Sequence, residues 1–181
     1  MRFESTPLPG VFVIECDFIA DDRGGFARTW CQREFEQHGL DTTLSQCSLS
    51  FYRLRGTLRG MHYQAAPHEE VKLVRVTNGA IYDVALDLRE DSPTYRQWFA
   101  TELSRDSRRM LYIPCGCAHG FQTLVDDTEV FYQISTPYEP IAARGVRWND
   151  PAFGIVWPLP VAVMHPRDAN YPFVSTPSLG D

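Results

Sequence analysis

No apolar run in the 181-residue chain approaches the roughly 18 residues that a membrane-spanning helix needs, so none is expected. The opening Met1-Arg2-Phe3-Glu4 also lacks the apolar centre of a secretion signal, and a cytoplasmic setting is the expectation. Cysteine is scarce: Cys16, Cys31, Cys47, Cys115 and Cys117 are an odd number, too sparse for a disulfide scaffold, which favours reduced thiols. Basic residues are outnumbered, with 17 Lys+Arg against 23 Asp+Glu and a formal charge of -6. That balance repels nucleic acid and anionic membrane surfaces, so neither is expected as a partner, and an anionic partner should be small. Repeats, low-complexity tracts and linkers are missing too, and 20.7 kDa leaves room for one core, giving a single domain over residues 1–181.

What is present is ordinary globular composition, 44% hydrophobic and 22% charged, which excludes disordered and coiled-coil classes. The 12 glycines and 13 prolines are spread along the chain, which suits short strands joined by turns rather than long helices. Strand-like runs fall at 11–16, 26–30, 44–51, 57–64, 71–77, 80–88, 110–113 and 129–135. Asn78-Gly79 carries a tight-hairpin signal, because its residues tolerate positive φ, and Asp126-Asp127 is expected to turn a second hairpin. The one helix expected covers 31–38, with Gly39 placed to stop it. Many strands and one small helix predict an antiparallel sandwich or barrel, with an irregular proline-rich segment from about 157.

Ionisable groups gather inside strand-like sequence in Thr57-Leu58-Arg59-Gly60-Met61-His62-Tyr63-Gln64 and the following Glu70-Val71-Lys72-Leu73-Val74-Arg75. Strict alternation puts His62 and Gln64 on one face and Arg59 on the other, whereas a bulge at Gly60 would let Arg59 and His62 share a pocket. A second block, Pro114-Cys115-Gly116-Cys117-Ala118-His119-Gly120-Phe121, matches the second motif of the cupin superfamily. Metal-binding cupins carry His-x-His in the first motif, and this chain has His62-Tyr63-Gln64 there, so a metal-free pocket is expected. Cys115 and Cys117 are spaced too tightly for the usual zinc pair.

These blocks, with Asp22-Arg23-Gly24-Gly25-Phe26, Val130-Phe131-Tyr132 and Trp148-Asn149-Asp150-Pro151, together resemble the dTDP-4-dehydrorhamnose 3,5-epimerase family over about residues 22–168. The resemblance implies an all-β cupin jelly roll, or double-stranded β-helix, with short peripheral helices. It implies a homodimer that epimerises a nucleoside-diphosphate 4-keto-6-deoxysugar without metal or cofactor. Such a reaction needs a base to take a C–H proton, a stabiliser for the enolate, and an acid on the opposite face.

By that resemblance His62 is the base, Asp168 its carboxylate partner, Tyr132 the acid, and Lys72 with Arg59 the cations for enolate and diphosphate. His119, Asp83 and Tyr138 match further pocket positions, and Gln46, Ser48, Arg59 and Arg167 match nucleotide contacts. Arg23 and Phe26 are expected to reach into a partner subunit's pocket. Arg28 stands where an acidic residue is usual, Ser48 near a usual asparagine, and Cys115 in place of a glutamate. These departures leave the base open among dTDP, GDP and CDP, and the choice of C3, C5 or both open as well. The competing readings are a metal-dependent cupin using His62, Gln64 and His119, and a non-catalytic sugar-nucleotide binding protein.

Overall fold

Alternating apolar and polar residues produce short strands throughout the computed structural model, which describes residues 1–174. In chain order they are β1 (Arg2–Ser5), β2 (Phe12–Glu15), β3 (Phe18–Asp21), β4 (Gly24–Ala27), helix α1 (Gln32–Gln37), β5 (Gln46–Tyr52), β6 (Thr57–Gln64), β7 (Lys72–Asn78) and β8 (Ala80–Asp87). There follow β9 (Trp98–Ser104), β10 (Arg109–Ile113), β11 (Cys117–Thr123), β12 (Thr128–Ile134), β13 (Ala143–Gly145), β14 (Val163–Met164) and helix α2 (Pro166–Ala169). The first sheet runs β1-β2-β10-β7-β12-β5 and the second β13-β6-β11-β8-β9, with β14 added parallel to β6. The fold is the expected all-β jelly roll with two short peripheral helices. Among the described residues no helix is long and apolar enough to cross a membrane.

The core lies between the sheets: Val74, Leu111 and Val130 of the first meet Ile81, Leu103 and Phe121 of the second, all buried. Each such side chain, fully buried, contributes about 1.5–3 kcal/mol. Outside the first sheet, α1 lays Phe35 on Ile14, Leu73 and Met110. Outside the second, Val146, Phe153 and Trp157 cover Met61, Val84 and Leu86. The β3-β4 ribbon pairs with neither sheet and carries exposed Ile19 and Phe26.

The expected strand 57–64 matches β6 residue for residue, and the helix stops before Gly39 at φ +68°. The two expected hairpins are corrected. β7 pairs with β10 and β12, whereas β8 pairs with β11 and β9, so Asn78-Gly79 joins one sheet to the other. Asp126-Asp127 likewise carries the chain from β11 in the second sheet to β12 in the first. Gly79 (φ +78°) and Asp127 (φ +51°) do adopt the turn conformation; the same local chemistry reverses a chain within a sheet or between sheets. The run at 26–30 ends as strand at Ala27. Strands β1, β3, β9, β11, β13 and β14 lie outside the strand-like runs of the sequence; β11 is buried on both faces and holds His119 and Gly120, so it shows neither alternation nor an apolar run. The irregular C-terminal segment contains β14 and α2, and residues 175–181 of it lie outside those described.

Candidate active site

Between the sheets a cavity of about 490 Å³ opens to solvent. Strand β5 sends Gln46, Ser48 and Ser50 into it by two-residue alternation, leaving Cys47 and Phe51 on the outer face. From the first sheet come also Lys72 on β7 and Tyr132 on β12; from the second come Arg59 and His62 on β6 and His119 on β11. Tyr138, Arg167 and Tyr171 complete the rim.

The bulge considered at Gly60 is present. His119 pairs with His62 but Phe121 pairs with Arg59, so three steps on β6 match two on β11. Gly60 has φ +128°, and a Cβ there would meet the Gly120 Cα at 2.5 Å. Only glycine fits this crossing, and the extra residue turns Arg59 and His62 into the same cavity.

Asp168 arrives from α2. His165 caps this short helix by accepting from the Arg167 amide, Pro166 opens it, and Asp168 then points at β6. Its Oδ1 lies 2.8 Å from His62 Nε2, and its Oδ2 accepts from the Gly60 amide at 3.1 Å. Burial opposes the Asp168 charge, but the hydrogen bonds and charges of His62, Gly60 and Arg167 outweigh it and hold the carboxyl below its ordinary range. Burial lowers the pKa of His62 and outweighs the opposing pull of Asp168, so the imidazole is neutral at pH 7. A neutral imidazole steadied by a carboxylate is a general base.

Tyr132 faces the cavity from the other sheet, 9% exposed, its hydroxyl 3.0 Å from Ser50 Oγ. Burial and the neighbouring Tyr52 phenol push its pKa well above the ordinary value against Ser50 and Arg59, so it stays protonated. Lys72 Nζ is 2.8 Å from Glu70 and 3.5 Å from the His62 carbonyl. Beside the first pair stands a second: His119 Nε2 lies 2.7 Å from buried Asp83. Arg167 brings Nη2 to 3.4 Å from His62 Nε2.

Of the expected site residues, His62, Tyr132, Lys72, Gln46, Ser48, Arg59, His119, Tyr138 and Arg167 line this cavity, and Asp168 stands behind His62. Arg23, Phe26 and Arg28 do not line it: Arg23 pairs with Asp21 at the tip of the ribbon, and Arg28 pairs with Glu34 at 3.3 Å. Sequence reasoning missed Ser50, Glu70, Arg144 and Tyr171. Ser50 and Glu70 were within reach of the two-residue period from Ser48 and Lys72; Tyr171, edge-on to His62 at 6.1 Å, sits in irregular chain that gives no such signal.

Among the described residues no three His, Cys, Asp or Glu side chains converge on a metal-sized point. The oxygen of Gln64 accepts from the Glu139 amide at 2.7 Å, and its nitrogen donates to the His68 and Pro137 carbonyls. Cys115 is exposed while Cys117 is buried, and burial pushes the Cys117 thiol up to about 12.

The family model described as dTDP-4-dehydrorhamnose 3,5-epimerase matches residues 5–176. A protein of that name from Sinorhizobium fredii is 39% identical over 95% of this chain and 89% of its own length. The crystal structure of dTDP-4-dehydrorhamnose 3,5-epimerase from Bacillus anthracis with TDP and PPi bound superposes with a TM-score of 0.92 at 37% identity, covering 96% of this chain and 99% of that one. The Legionella pneumophila dTDP-6-deoxy-D-glucose-3,5-epimerase in complex with dTDP-4-keto-L-rhamnose gives 0.89 at 32% identity, covering 95% and 92%.

Proposed function

The chain belongs to the dTDP-4-dehydrorhamnose 3,5-epimerase family, and from that membership we propose that it inverts C3 and C5 of dTDP-4-dehydro-6-deoxyglucose. It is an isomerase. The observation that carries the mechanism is one cavity with His62, paired to Asp168 of α2, on one sheet and protonated Tyr132 on the other. His62 takes the proton beside the C4 ketone, Asp168 stabilises the imidazolium, and the electron pair moves onto the ketone oxygen as an enolate. Lys72 supports that oxygen, and Tyr132 delivers a proton to carbon from the opposite face. A proton leaves and a proton returns with no change of oxidation state, so side chains suffice for the step.

Arg59 and Arg167 hold the diphosphate, arginine forks being suited to its oxygens; Gln46, Ser48, His119 and Tyr138 line the remainder. The working unit in this reading is a homodimer whose β3-β4 ribbon brings Arg23 and Phe26, with Arg28 at its base, to the partner's pocket. Its support is the exposure of Ile19 and Phe26, 67% each, on a ribbon that neither sheet covers. A cytoplasmic setting belongs to the same reading, supported by five unpaired cysteines.

The test is proton NMR in D₂O with dTDP-4-dehydro-6-deoxyglucose. Deuterium is expected at C3 and C5; entry at one carbon alone would narrow the activity to that centre, and no exchange would sink the reading. A stoichiometric transition metal in active protein would instead favour the metal-dependent cupin.

A further inference from the structure

Arg59 has an unusual anchorage. It sits at the cavity rim on the bulged stretch of β6, and no carboxylate pairs with it among the described residues. Its Nη1 donates to the hydroxyl of Tyr52 at 2.8 Å. Tyr52 closes β5, and its ring meets Phe121 edge-on, with centroids 5.2 Å apart and planes at 82°. Phe121 is 1% exposed, so the phenol stands on a fixed platform in the core. A long arginine stem loses considerable rotamer freedom when it clasps a ligand, and a neutral anchor removes part of that cost without cancelling the charge. A carboxylate in the same place would cancel it and repel an anion. Guanidinium has five N–H donors, so the bond to Tyr52 leaves four for a ligand.

We infer that Tyr52 is a positioning residue which, acting through Arg59, sets a guanidinium fork for the diphosphate of the sugar nucleotide. This rests on the proposed function for the identity of the ligand but not for the clamp itself, because inorganic pyrophosphate presents the same oxygens. Tyr52→Phe keeps the ring against Phe121 and removes only the hydroxyl, so the fold is preserved; thermal unfolding checks that.

The experiment is calorimetric titration of wild type, Tyr52→Phe, Arg59→Ala and the double variant with pyrophosphate, dTDP and thymidine, alongside steady-state kinetics. Losing one ordering hydrogen bond weakens pyrophosphate and dTDP by about three- to tenfold, leaves thymidine unchanged and raises KM; because the Tyr52 phenol also neighbours Tyr132, binding rather than kcat is the readout. In the Arg59→Ala background the Tyr52 change has no further effect, which a merely structural role would not produce. Pyrophosphate bound equally by wild type and Tyr52→Phe, no binding of pyrophosphate by wild type, or a full second loss in the double variant would overturn the inference. If Tyr52→Phe weakens pyrophosphate while wild type neither binds dTDP nor exchanges its sugar protons, the clamp stands and the assigned substrate falls.

Discussion

At the residue scale, chemistry is decided by how burial and partners divide the protons. His62 has a pKa below 6.5 because burial disfavours the imidazolium, while Asp168 pulls it upward. The base is therefore active above that pKa, and the acid limb of kcat/KM should have its midpoint below 6.5. Asp168→Asn removes an upward pull, so the limb moves to still lower pH while kcat drops by roughly 10²- to 10⁴-fold, as a misheld imidazole predicts. A pH–rate series on the two proteins checks this, and a limb moving upward would refute the pairing. Tyr132→Phe separates the half-reactions: His62 still removes protons, so solvent deuterium returns to the same face while inversion falls. Measured exchange without epimer formation is the expected result, and loss of the two together would assign Tyr132 to binding. The sequence exposes His62 in a block dense with polar groups, whereas Asp168 enters only through the family resemblance. The reason is distance along the chain: the partner of His62 is 106 residues away, and spacing carries no trace of it.

At the element scale, β6 shows what alternation predicts and where it fails. Its limits were legible to the residue, yet a perfect period would have sent Arg59 away from His62. Gly60 breaks the period, and the bulge it forms against Gly120 makes the site. Gly60→Ala should destabilise the fold by at least about 2 kcal/mol, because the new Cβ meets backbone at 2.5 Å from a positive-φ position. Chemical denaturation measures it, and a cost below about 0.5 kcal/mol would mean that the crossing has slack. Asn78-Gly79 shows the opposite limit. The turn signal was sound, but a turn fixes only the local reversal, and which strand then lies alongside is settled by where the apolar faces find partners.

At the scale of the whole molecule, two sheets close a cavity that neither could form alone, and the last described segment returns across β6 to supply Asp168. The ribbon β3-β4 stands outside this arrangement. If it docks on a second copy, charges placed on its apolar face should separate the copies: Ile19→Asp with Phe26→Asp weakens dimerisation by more than about 100-fold, since two large apolar burials of about 1.5–3 kcal/mol each are lost at each end. Sedimentation equilibrium reads the effect. A wild-type monomer, or a double variant that dimerises normally, would remove the ribbon from the interface.

The sequence by itself determined the class of fold, the strands with clean alternation, the helix stop at Gly39 and the residues in which chemistry is concentrated, because periodicity and turn propensity are local properties of neighbouring side chains. Tertiary structure decided which turns cross between sheets, that Arg59 and His62 share a cavity, that Asp168 rather than another carboxylate serves His62, and that Tyr52 holds Arg59. Each of those depends on segments far apart in the chain meeting across one core, and no window of sequence contains them.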